Sequence, residues 1–231
     1  MITVYYSSYD IRNNLYTFCN EPVPVNKDLI KNVELDKEEE IFRCPAIKAF
    51  NYNLFQITST YDYQFVWNGQ EVISNMHNQE YFNNYIQVRN IEKGLISYIE
   101  PRIFFFTDSN KLDMSLLPVI YKKNSINAIT IPGTFDIANH FRHLELAMIL
   151  NSHQTVCIDA GDPLYYVKFH TDEKIKFVRF ELTDTLLKLS SSLLQYRRYA
   201  KKVVPLSWYY NVVQKFYKKR YLKLIKENLL E

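Results

Sequence analysis

Glycine is scarce: the chain has four in 231 residues. None of them stands in a GxGxxG or GxxxxGK[ST] run, which excludes the nucleotide-binding folds built on phosphate-cradling loops. Cysteine is scarcer still. Cys19, Cys44 and Cys157 are odd in number, far apart and without CxxC spacing. That excludes a disulfide framework, argues against zinc and predicts three buried or idle thiols in a reducing compartment. No apolar run approaches the ~18 residues that a membrane-spanning helix needs. The opening Met1-Ile2-Thr3-Val4-Tyr5-Tyr6 has no basic region followed by a long apolar stretch, so it predicts a first strand and no signal peptide. Charge of either sign is nearly balanced, 28 basic against 25 acidic for a net +3, and argues neither for nor against nucleic acid. A G-x-S-x-G nucleophile motif is also missing, and Cys157 lies in an apolar strand run, away from any evident helix start.

What is abundant is aromatic and β-forming. Tyr61, Tyr63, Phe65 and Trp67 alternate with Asp62, Gln64, Val66 and Asn68, a period of two that makes one strand face aromatic. Asn68-Gly69 follows at once and predicts a two-residue hairpin turn into Gln70-Glu71-Val72-Ile73. Further strands are expected at Tyr85–Val88, Leu95–Ile99, Arg102–Phe106, Val119–Tyr121, Ala128–Ile131, His143–Leu150, Val156–Ile158, Leu164–Phe169 and Lys176–Phe180. All four glycines read as turns, Gly133 through Pro132-Gly133 with positive φ. Short strands at this spacing, without the helices that βαβ units need, predict a mainly β domain over 1–183: a sandwich, jelly roll or β-clip-like barrel. Residues 1–43 read as partly irregular, with a solvated acidic run at Asp36–Glu40. From Asp184 the pattern turns helical, with Leu186, Leu187, Leu189, Leu193 and Leu194 as an apolar stripe. Pro205 breaks it, and a second helix is expected after Ser207.

The densest stretch is Ile131-Pro132-Gly133-Thr134-Phe135-Asp136-Ile137-Ala138-Asn139-His140-Phe141-Arg142-His143, followed by Gly161-Asp162-Pro163-Leu164. It is similar to the β-clip core of the deoxyuridine triphosphatase superfamily, where a Gly-x-apolar-Asp turn leads into a strand. The carry-over stops there: Asn139 stands where that family has an aromatic residue, no Gly-Arg-Ser loop is present, and Tyr165 and Tyr166 replace the expected Gln. With Cys44-Pro45-Ala46, Gly133-Thr134-Phe135-Asp136 and Gly161-Asp162-Pro163-Leu164, the chain from Cys44 to Thr183 more closely resembles an uncharacterised phage and bacterial domain family. That resemblance implies no activity. The heavy use of Tyr, Phe, Lys, Asn and Ile resembles the bias of AT-rich genomes, many phages among them, and a cytoplasmic location is expected, in the host if the chain is viral.

Asp136, Arg142 and Asp162 are the ligand-binding candidates, as a polar corner for a nucleotide; for Asp136 the leading reading is a turn-capping carboxylate, with the nucleotide site as the alternative. His140 and His143 beside Glu145 are weak metal candidates, since i, i+3 positions on a strand face opposite ways unless a bulge intervenes. No cofactor is predicted. The aromatic stripe from Tyr61 to Trp67 reads as core, with a stacking platform for bases or sugars as the alternative. From Arg197 onward ten basic residues stand against two acidic, +8, leaving 18 against 23, −5, in the rest. Arg197, Arg198, Lys218, Lys219 and Arg220 are the contact candidates of this aromatic, basic tail. It can dock on the domain or on another subunit, bind nucleic acid, or lie on a membrane surface. The leading expectation is a non-catalytic phage-type β protein acting through assembly or partner binding, as a homo-oligomer or with a protein partner. The alternatives are a nucleotide- or metal-dependent enzyme or sensor at the Asp136/Arg142/Asp162 corner, and nucleic-acid binding through the tail.

Overall fold

A computed structural model describes residues 1–9, 21–25, 44–76, 78–120, 126–199 and 208–230. Cys19, His77 and the acidic run at 36–40 lie outside the described residues.

Alternation builds the strands and places the core. In chain order they are β1 (Ile2–Tyr9), β2 (Val23–Pro24), β3 (Leu54–Thr58), β4 (Tyr63–Trp67), β5 (Val72–Ser74), β6 (Ile86–Asn90) and β7 (Leu95–Thr107). They continue as β8 (Asp113–Leu117), β9 (Ala128–Thr130), β10 (Gly133–Asp136), β11 (His143–Leu150), β12 (Thr155–Ile158), β13 (Pro163–Phe169) and β14 (Ile175–Arg179). The helices are α1 (Pro45–Asn51), α2 (Gln79–Phe82), α3 (Asp184–Tyr199) and α4 (Lys215–Glu227).

One sheet runs β14-β1-β7-β11-β9, with β6 also paired to β7; a second runs β10-β8-β13-β3-β2; a third is β12-β4-β5. The fold is mainly β, as expected, with sandwich-like packing of the sheets. Inward residues of all three meet in one core. Val4, Ile96, Phe105, Leu146 and Met148 come from the first sheet, Phe55, Met114, Val167 and Phe169 from the second, and Tyr63, Phe65 and Val156 from the third. The aromatic stripe is core: Tyr63 and Phe65 are buried, and Tyr61 and Trp67 pack against them. Trp67 also explains Gly94. That residue has φ +60, and a Cβ there would stand 2.6 Å from the indole ring.

Several local expectations are corrected. The β4–β5 hairpin forms, but its loop has four residues, 68–71: Trp67 pairs with Val72, and Asn68 Oδ1 accepts the amides of Gln70 and Glu71, both at 2.9 Å. The two runs expected at 95–99 and 102–106 are one strand through Pro101. The β7–β11 register jumps from Leu144↔Ile103 to Leu146↔Tyr98, so Pro101 sits where β11 skips the ladder and its missing N–H costs nothing. Residues 118–120 are not strand; that strand is β8, and Gly133 lies in β10 opposite Leu116 without positive φ.

The first sheet has a second buried side. Phe104 and Phe106 of β7 point away from the sandwich, with Tyr5 beside them, and meet Phe141, Phe180, Leu182, Leu186 of α3 and Tyr221 and Ile225 of α4. Tyr221 stacks on Phe141, ring centroids 4.7 Å apart, and meets Phe106 edge-on. Tyr209–Gln214, just before α4, is a π-helical turn. Gln214 within it is buried, and its Oε1 accepts the Phe141 amide at 2.6 Å. Lys226 Nζ reaches Asp108 at 3.2 Å, and Asp108 also accepts the Tyr5 hydroxyl at 3.3 Å. The basic tail is thereby docked on its own domain. Phe180 bridges Leu229, and Leu230 N donates to Arg179 O at 2.9 Å, so the last described residues meet the end of β14.

Candidate functional site

The densest charge cluster of the described chain centres on Glu145. Leu144, Leu146, Met148 and Leu150 face the sandwich, so His143, Glu145, Ala147 and Ile149 face out. Because the β7 ladder skips at Glu145, two guanidinium groups and an imidazole converge on it. Arg142 Nη2 approaches one carboxylate oxygen at 2.9 Å and His143 Nε2 the same oxygen at 3.3 Å, while Arg89 Nη2 of β6 takes the other. Arg89 Nε also donates to Ser97 Oγ at 2.9 Å. The hydrogen bond from His143 and the charges of Arg142 and Arg89 hold the Glu145 carboxyl at about 2, against an opposing push from burial.

A depressed carboxyl contributes stability that is complete above its unfolded value near 4.5 and disappears as pH falls toward 2. Replacing Glu145 by Gln is expected to cost about 2–3 kcal/mol at neutral pH, because it leaves the two guanidinium groups without their shared counter-ion. Urea unfolding at pH 7 and pH 3 checks this: the wild-type/variant difference shrinks at the lower pH.

The three corner candidates do not meet. Asp136 closes β10 and accepts the amides of Ala138 (3.0 Å) and Leu112 (3.3 Å) and the Asn139 side-chain amide (2.8 Å). It is the turn cap. Arg142 belongs to the Glu145 cluster. Asp162 lies before β13 and accepts the Asp159 amide at 3.2 Å. The far end of β13 pairs Phe169 with Met114, next to the Asp113↔Asp136 pair. The seven residues of β13 therefore separate Asp162 from Asp136, about 20 Å at the usual strand rise. Two polar turns in the sequence are no guide to convergence when a whole strand lies between them.

His140 and His143 likewise part company. His140 is buried in the turn with its ring against Phe135, and burial, reinforced by the Arg142 and His143 charges, lowers its pKa to about 3. His143 begins β11 and turns to Glu145. Among the described residues no group of three or more His, Cys, Asp or Glu is placed to hold a metal ion. Cys44 and Cys157 are free and exposed, so of the buried-or-idle expectation burial does not apply to them; Cys157 occupies an outward position of β12. Of the tail candidates, the side chains of Arg197 and Arg198 lie outside the described residues. Lys218 is half-buried and donates to the Ser109 carbonyl, while Lys219 and Arg220 are exposed.

One contact was invisible in the sequence. Ser115 Oγ lies 2.7 Å from His170 Nε2 and 2.8 Å from Thr134 Oγ1, across three neighbouring strand ends. A hydroxyl on imidazole is the start of a nucleophile–base pair. Here, however, β8 is paired on both sides, with β10 and β13. The strand amides about Ser115 are spent on the ladders, away from any oxyanion. The trio is a cross-strand polar contact.

A scan of family models, a search of curated proteins and a search of solved structures each return no match to this chain. The two family resemblances therefore rest on the quoted motifs alone. No helix among the described residues is long and apolar enough to cross a membrane.

Proposed function

We propose that this chain is a non-catalytic β-sandwich protein that acts by assembling with further copies of itself through the open edge at β9. One observation carries the reading. Ile129 of β9 is 60% exposed, and its cross-strand partner on β11, Ile149, is 38% exposed, with Ile131 exposed beside them. Among the described residues β9 pairs only with β11. Edge strands usually carry lysine, proline or a bulge that discourages pairing. This one presents Ala-Ile-Thr. About a two-fold axis, antiparallel β9 strands of two copies would set Ile129 near its own equivalent and extend the first sheet across the interface. The polar corner candidates do not compete with this reading, since each is spent on a turn or an ion pair.

Sedimentation velocity over a concentration series tests it. The wild type should associate reversibly. The double variant Ile129→Lys, Ile149→Lys should keep the wild-type circular dichroism and weaken association by at least about tenfold, because it buries charge at the centre of the contact. A wild type that stays monomeric at every concentration, or a double variant that associates equally well, overturns the proposal.

A further inference from the structure

The C-terminal helix has two faces, and docking uses one. Gln214, Tyr221 and Ile225 point into the second core, with Lys218 on the Ser109 carbonyl beside them. On the opposite side stand Trp208, 47% exposed, Val212, 47% exposed, and Phe216, 81% exposed, at i, i+4 and i+8. The stripe continues toward the C-terminus as exposed Lys219, Arg220 and Lys223, and Lys215 flanks it. Between 208 and 226 there is no carboxylate in the sequence. Large apolar groups and an excess of cations, of which only Lys223 has a carboxylate on the helix, Glu227 at 3.9 Å, thus share one ridge, about 10–12 Å from Trp208 to Phe216.

We infer that this ridge is a contact for an anionic lipid surface, on which the helix lies parallel to the plane with Trp208, Val212 and Phe216 in the headgroup–acyl boundary. The composition is that of an interfacial helix: aromatic and aliphatic groups to enter the boundary, and Lys and Arg to meet lipid phosphates and carboxylates. The occupant must be negative, because no carboxylate on the helix is placed against Lys215, Lys219 or Arg220, and Lys223 meets only Glu227, at 3.9 Å. That disfavours a second copy of the same ridge, which would press like charges, or lysine against indole, into a contact without a counter-ion. A single nucleic-acid strand fits less well. Bases would stack on Trp208 and Phe216 only by passing Val212, which has no π-face, and such strands are tracked by grooves, whereas this surface protrudes. A lipid surface accepts a convex ridge and uses the valine. Docking of the inner face fixes the helix before binding, so little ordering entropy remains to oppose contact.

The test uses the full chain with vesicles of phosphatidylcholine, with and without added phosphatidylserine. Trp208 is one of only two tryptophans, and Trp67 packs against the core, so Trp208 reports the contact. Expected are co-sedimentation with the phosphatidylserine vesicles and a blue shift of emission that Trp208→Phe removes. Phe216→Ser should weaken partitioning roughly 10–100-fold. Lys219→Glu with Lys223→Glu should abolish the preference for phosphatidylserine. About 1 M salt, where the screening length falls to about 3 Å, should do the same. Equal binding to both vesicle types, the absence of a blue shift, or unchanged partitioning of Phe216→Ser overturns the inference. So does displacement of the protein from vesicles by a single-stranded oligonucleotide, which would assign the ridge to nucleic acid.

Discussion

Tyr221→Ala is expected to lower stability by about 3–5 kcal/mol, a fall in Tm of roughly 8–15 °C for a chain of this size. Tyr221 is fully buried between Phe141 and Phe106, and its ring is the centre of the seam joining α4 to the first sheet. Truncation leaves a cavity against Phe106 and Phe141, and loosens the helix that carries Gln214 to the Phe141 amide and Lys226 to Asp108. Tyr221→Phe keeps the ring and should cost under about 1.5 kcal/mol. Thermal unfolding of both variants decides the point. A loss below about 2 °C for the alanine variant would mean that the helix is a passenger on the sheet.

The second large effect is acid lability centred on His140. Its folded pKa of about 3 lies below the ordinary 6.5, because burial and the neighbouring Arg142 and His143 oppose a charge there. The unfolded chain therefore takes up a proton at this position first. Stability is complete above about pH 6.5 and declines as pH falls from there toward 3, by about 4–5 kcal/mol in all. Glu145 contributes only below about 4.5, so its share stays out of the interval from pH 6.5 to 5, and the comparison with a His140 variant reads His140 there. His140→Phe, beside Phe135, should flatten the pH dependence of urea midpoints in that interval. A wild type equally stable at pH 7 and pH 5 would contradict this assignment.

Much of the β architecture was legible wherever alternation was strong. The Tyr63–Trp67 run and the Leu144–Leu150 run each state their buried face in a period of two, and both faces are found as read. Reading failed where the pattern was local and its partner remote. Asp-Met-Ser-Leu-Leu at β8 has no β-branched residue to announce a strand, yet it lies between β10 and β13 and is held by them. Pro132-Gly133 resembles a turn, but the glycine is extended because Leu116 pairs with it. Around Glu145 the sequence offered two histidines three apart and suggested a metal. The decisive ligand is Arg89, 56 residues upstream, which no local motif could supply. In the tail, charge was visible but phase was not. The π-helical turn helps set which side faces in, so Lys218 is half-buried against Ser109 while Lys219 and Arg220 remain outside.

Strand β1 is paired on one side with β7, about a hundred residues away, and on the other with β14, where Ile2 lies opposite Ile175. During synthesis, β1 leaves the ribosome long before either neighbour exists. Its apolar side, Val4 and Tyr6, must wait through most of translation for cover, since the closing of so long a loop precedes any gain from the contact. The first sheet is thus completed only once β14 has been made, and β1 is the strand that waits longest for both of its neighbours.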